Sequence, residues 1–151
     1  MGGSLKTKKN KSPTFLVWAM ADAQGTNLQR VQIIKGWLDN GESKEKVYDA
    51  TCSDGLEVDK SSHRCPDNGA KVNLNDCSIS KNKGSRELKT LWKDPEFIED
   101  QEAFYYVRVL ENPVCRWSTW DAIRSNQLPR SDIKSTSQER AWSSPIWITN
   151  Y

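Results

Sequence analysis

The sequence predicts an all-β chain: an immunoglobulin-like β-sandwich with a loop and short-helix insertion before its last strand. Three observations carry that expectation. The segments Ala103-Phe104-Tyr105-Tyr106-Val107-Arg108-Val109-Leu110 and Ala141-Trp142-Ser143-Ser144-Pro145-Ile146-Trp147-Ile148-Thr149 are dense in aromatic and β-branched residues, which suit a pleated, half-buried surface. An Asn-Gly pair at Asn40-Gly41 separates two apolar segments, as in a tight hairpin. Finally, strand-like segments recur along the chain without a sustained helical period. Alternation places Trp142, Ile146 and Ile148 on one face of the last segment, and Tyr105, Val107 and Val109 on one face of the other. Both read as central strands.

Residues 1–13 are rich in Gly, Lys and Ser and end at Pro13, so they read as a linker or lead-in to a sandwich over 14–151. Phe15 to Met20 is a continuous apolar run, expected as a buried strand. Ala21 to Asn27 supplies turn residues. Leu28 to Leu38 competes between helix and strand; Val31, Ile33 and Ile34, with turn signals on both sides, favour strand. Asp39-Asn40-Gly41 turns the chain into a return strand at Lys46 to Thr51. From Cys52 to Gly84 the chain is polar and irregular, with a short strand expected at Lys71 to Leu74. Ser85 to Trp92 is a strand or a single helical turn. Pro113 breaks the chain after the Phe104 strand, opening an insertion at about 111–140. Within it Thr119 to Arg124 predicts a short helix, capped by Ser118 or Thr119.

The 151 residues suffice for one domain with a real core. Apolar residues make up 36% and charged residues 28%, and no run approaches the roughly 18 apolar residues that span a membrane. A net charge of +2 points away from nucleic acid, and the cluster Lys6, Lys8, Lys9 and Lys11 reads as a solvated tail. Met1 to Lys6 has no apolar stretch behind it and so does not resemble a signal peptide. Most of the seven tryptophans lie in alternating segments, which predicts core or domain-interface packing.

Cys52, Cys65, Cys77 and Cys115 are separated by 13, 12 and 38 residues, spacings that do not form zinc knuckles. His63 beside Cys65 allows a mixed metal site to be drawn, and free thiols are a further reading. An even count around a polar loop fits two disulfides better. Four cysteines allow three pairings; a bridge within the Cys52–Cys77 loop is the preferred feature. The acidic residues of that loop lack the spacing of a calcium loop. With one histidine and no Gly-x-Ser-x-Gly elbow or phosphate loop, the chain presents no self-contained catalytic constellation, so no catalytic or metal residue and no cofactor is assigned to it. The most unusual stretch is Arg116-Trp117-Ser118-Thr119-Trp120-Asp121, a cation beside two indoles. Arg116, Trp117, Trp120 and Arg140 are therefore the candidate residues for a domain interface or a binding surface.

Phe104 to Glu111, Arg116 to Arg124 and Gln138 to Trp147 resemble the carboxy-terminal region of the bacterial family named domain of unknown function 3604. Pro13-Thr14-Phe15, Gln29 to Trp37 and Leu91-Trp92-Lys93-Asp94-Pro95 resemble it in the same order. The likeness is weakest from Asp54 to Lys83, and Ile148-Thr149-Asn150-Tyr151 departs from the family's usual ending. Members are longer, and their amino-terminal part resembles the polymerase-and-histidinol-phosphatase metallohydrolases. The resemblance thus implies a non-catalytic accessory domain, partnered by an amino-terminal catalytic domain that carries a divalent metal. None of that domain's ligand motifs matches a position here. Met1-Gly2-Gly3-Ser4-Leu5 resembles an internal segment of the longer proteins, so the expectation is a fragment: a chain that starts inside a longer frame. Cysteine usage and the resemblance together favour a periplasmic or secreted location. The alternative is a stand-alone module binding a glycan or protein through exposed tryptophans.

Overall fold

The computed structural model describes residues 2–6 and 11–149 of the chain. The fold is all-β and sandwich-like. Its larger sheet contains β1 (Gly3–Lys6), β3 (Leu28–Asp39), β4 (Glu42–Cys52), β6 (Ala103–Glu111), β9 (Arg140–Trp142) and β10 (Ile146–Thr149). The spatial order is β1-β10-β6-β3-β4, with β9 also on β6. The smaller sheet pairs β2 (Thr14–Met20) with β5 (Glu87–Lys93), and a third pairs β7 (Val114–Cys115) with β8 (Thr136–Ser137). Helix α1 (Trp117–Arg124) lies between β7 and β8, in the insertion that precedes β9 and β10. It is too short to cross a membrane, and no helix among the described residues is long and apolar enough to do so.

The long hairpin β3–β4 anchors the larger sheet. Asn40 and Gly41 both take positive φ, 50° and 83°, which matches the twist of a two-residue hairpin turn. Ile33 stands opposite Tyr48 on one side and Val107 on the other. Its neighbours Val31, Tyr105 and Ile148 share the inner face, where Val17 and Leu88 of the smaller sheet meet them in one core. Phe15 packs on Tyr105 with ring centroids 4.9 Å apart, and Trp92 on Tyr48 at 5.3 Å. Gly36 is required by a close approach: a Cβ there would overlap the ring of Phe104 on the opposite strand.

Several sequence expectations change at this point. Within the segment read as a lead-in, Gly3–Lys6 forms β1 and runs parallel to β10, Gly3 opposite Ile146. The closing segment is not one strand. Pro145 has no N–H to give to a ladder, and Ser143 interrupts the pairing by bonding Val107 through its backbone N and its Oγ. β9 and β10 therefore take separate stretches of the same edge of β6. Trp142 and Ile146 are four positions apart, yet their partners Arg108 and Tyr105 are three apart. That odd offset flips the face: Ile148 enters the core while Trp142 points outward and is exposed. Lys71 to Leu74 forms a single bridge, Val72 with Ile79, instead of a strand. Arg116, not Ser118 or Thr119, occupies the N-cap of α1, and no side chain caps the helix. Thr119 is instead buried and donates its hydroxyl to the Ser135 carbonyl.

The cysteines form two disulfides, Cys52–Cys65 and Cys77–Cys115. The first lies within the Cys52–Cys77 loop as the sequence suggested; the second ties that loop to the insertion. Two disulfides in one small chain fit an oxidising environment outside the cytoplasm.

Candidate binding surfaces

Two buried carboxylates organise the interior, and neither is free for chemistry. Asp94 follows β5. It accepts from Lys35 Nζ at 2.8 Å, Tyr105 Oη at 2.7 Å and the Glu96 backbone N at 2.8 Å. Asp49, on β4, accepts from Gln32 Nε2 and the Cys65 N at 2.6 Å each, and from Arg30 at 3.1 Å. The Cys52–Cys65 bridge thereby seats its loop on a buried charge. Beyond them Glu96 accepts from Lys46 and from Tyr48 Oη, the latter at 2.8 Å, and His63 Nε2 lies 3.7 Å away. The Lys46 and then the Tyr48 hydrogen bonds hold Glu96 below the ordinary carboxylate range. Burial first, then bonding to Glu96 and Asp94 respectively, pushes the Tyr48 and Tyr105 phenols well above their ordinary value.

No group of three or more His, Cys, Asp or Glu among the described residues is placed to hold a metal ion. The donor set agrees, since all four cysteines are oxidised and His63 lies against the ring of Tyr48. The described residues therefore offer no set that fits a divalent metal, which the resemblance assigns to a separate catalytic domain.

Surfaces remain, and the tryptophans mark them. Trp18, Trp117, Trp120, Trp142 and Trp147 are exposed, and only Trp37 and Trp92 pack against the core. Of the expected core or domain-interface packing, the core part holds for two of the seven, and the other five lie at the surface. Alternation identifies residues that share a face but not whether anything covers that face.

One apolar surface is the outer face of β2–β5. Leu16, Trp18 and Met20 alternate outward along β2, with Leu91 of β5 directly opposite Leu16. All four are between 65% and 73% exposed. The sequence does not mark this face as exposed, because a continuous apolar run reads as buried on both sides. The two-stranded sheet covers part of the larger sheet with its inner face, and no third layer among the described residues covers its outer one.

A cavity of about 590 Å³ lies at the β3–β4 hairpin end of the larger sheet, between Trp37, Phe104 and Trp147, with Asp100, Gln101 and Glu102 at its edge. Phe104 and Trp147 pack at 5.0 Å.

The residues singled out in the insertion divide between two places. Trp117 and Trp120 project from α1, and Trp120 carries Arg124 over its ring at 5.3 Å. Arg116 and Arg140 come together, with Lys134, along a polar groove of about 330 Å³. Lys134 was not visible from the sequence, because only folding of the β7–β8 pair returns it to Arg116.

A family model described as "Protein of unknown function (DUF3604)" matches residues 1–150. No curated protein and no solved structure matches the chain.

Proposed function

The chain belongs to the DUF3604 family, and from that membership we propose that it is a non-catalytic accessory domain of an exported metal-dependent hydrolase. It docks on the catalytic domain through the outer face of β2–β5. The observation that carries this reading is the contiguous exposure of Leu16, Trp18, Met20 and Leu91. A small soluble domain rarely leaves four large apolar side chains adjacent and uncovered unless something packs there. Covering them is worth about 6–12 kcal/mol in gross burial, from which the cost of association is subtracted. Trp117, 72% exposed on α1, offers a further contact. The domain itself supplies packing and cleft shape, and the divalent metal belongs to its partner.

The test is a binding titration of this chain against the separately produced amino-terminal catalytic region of a family member. The reading expects a saturable complex that Leu16→Asp weakens at least tenfold, without loss of the chain's own fold. Absence of any complex between two folded partners contradicts it.

One observation favours a second reading, a stand-alone glycan-binding module. The cavity between Trp37, Phe104 and Trp147 joins aromatic walls to polar edges, a combination suited to sugar rings. A glycan panel read by tryptophan fluorescence distinguishes it: a response abolished by Trp147→Ala supports the module, and silence across the panel removes it.

A further inference from the structure

The groove between the insertion and β9 is lined by groups of one sign. Its charged side chains are Arg116, Lys134 and Arg140, with Pro113, Thr136, Ser137 and Gln138 completing the wall. No carboxylate side chain among the described residues lines it. Arg116 donates only its Nε, to the Lys134 carbonyl at 3.1 Å, which fixes the guanidinium plane and leaves both terminal nitrogens without a partner among the described residues. The side chains of Lys134 and Arg140 make no ion pair or hydrogen bond among those residues.

The nearby acids are directed elsewhere. Arg130 and Asp132 pair with each other. Glu139 is not among the residues that line the groove. Its negative charge acts on Glu111 together with Asp22, and it touches the groove wall only by accepting from Ser137 Oγ at 3.3 Å. Arg116 is the N-cap of helix α1, which has no capping side chain and no acidic residue in its first turn, so its positive end lacks a side-chain counter-charge.

Three cations along one groove, with no ion pair among the described residues, repel one another, and an anion bound between them lessens that repulsion. The planar guanidinium of Arg116 suits paired contacts to a tetrahedral oxyanion, and Lys134 and Arg140 supply further donors. We propose that this groove is a binding site for a phosphate or sulfate ester, with Arg116 as the oriented fork and Lys134 and Arg140 as the closing cations. A volume of about 330 Å³ holds the oxyanion and part of the group that bears it. The site is independent of the docking face and stands if that reading fails.

Isothermal titration of the full chain with inorganic phosphate and with sulfate, against chloride at matched ionic strength, provides the test. Saturable binding of phosphate or sulfate is expected, and the tighter of the two identifies the ester. Arg140→Ala and Lys134→Ala should each weaken binding about tenfold, since each removes a charge-assisted contact. Amide NMR shifts of the unmodified chain on adding the same anions provide a second readout, expected at Arg116 and from Lys134 to Arg140. Heats no larger than those of chloride, affinity unchanged in both variants, or shifts elsewhere on the chain would overturn the proposal.

Discussion

Lys35 and Asp94 meet at 2.8 Å inside the sandwich, with side chains 3% and 0% exposed. The pair joins the middle of β3 to the turn after β5, so it pins the smaller sheet to the larger. Lys35 also donates to the Glu96 carbonyl at 2.9 Å, and Tyr105 donates to the same carboxylate. Removing one partner strands the other charge in the interior. Asp94→Ala should therefore cost about 3–5 kcal/mol, whereas the double change Lys35→Met with Asp94→Leu should cost clearly less. Urea unfolding of the three proteins measures both; equal losses for single and double variants would count against this account.

Gly36 is the only residue that fits beneath Phe104. Gly36→Ala should displace the ring and the packed Trp147, destabilising the chain by about 1–3 kcal/mol and altering the Trp147 emission. A neutral Gly36→Ala would mean that Phe104 has another place to go.

The two disulfides should differ in what their loss releases. Opening Cys52–Cys65 by serine substitution should lower stability by about 3 kcal/mol and loosen the loop seated on Asp49. Opening Cys77–Cys115, which closes a longer loop, should cost at least as much and also free the insertion. Denaturation midpoints, with hydrogen exchange over Cys115 to Arg124, separate the two effects.

Two titrations have opposite signs. Glu96 is held below its ordinary value of 4.5, first by Lys46 and then by Tyr48. Its contribution is present above pH 4.5 and is lost as pH falls through the lower folded value. Glu96→Gln should flatten the acid limb of the stability profile relative to the parent chain. Tyr48 and Tyr105 are raised from an ordinary 10.0, mainly by burial. Their contribution is intact below pH 10 and is lost as pH rises through the folded values. Phenolate absorbance should therefore show both rings protonated until the chain unfolds in alkali; their ionisation in the folded chain near pH 10 would contradict the burial described.

Much of the fold was legible because local rules decide it. Asn40-Gly41 specifies the hairpin, the Phe104 to Leu110 alternation specifies a half-buried strand, and a bridge within the Cys52–Cys77 loop is present. What escaped depends on partners distant in sequence. Gly3–Lys6 is a strand only because β10 offers it an edge. Trp142 leaves the core because the Pro145 break changes register, a shift that no period-two count detects. The outer face of β2 was written in the sequence as Leu16, Trp18 and Met20, but its exposure depends on a two-stranded sheet having no further layer. Arg116 and Arg140 were visible as unusual residues; the groove that joins them, and Lys134 within it, required the β7–β8 pairing.

The central claim is that the outer face of β2–β5 docks on a second domain, and Trp18 reports on it directly. With 5-fluorotryptophan incorporated and its fluorine signal assigned through Trp18→Phe, the chain would be titrated with the family's catalytic region. The account predicts that the Trp18 signal shifts and loses its solvent-isotope sensitivity as the complex forms, while the half-buried Trp92 signal stays in place. A complex that leaves Trp18 unchanged, or no complex between folded partners, would contradict it.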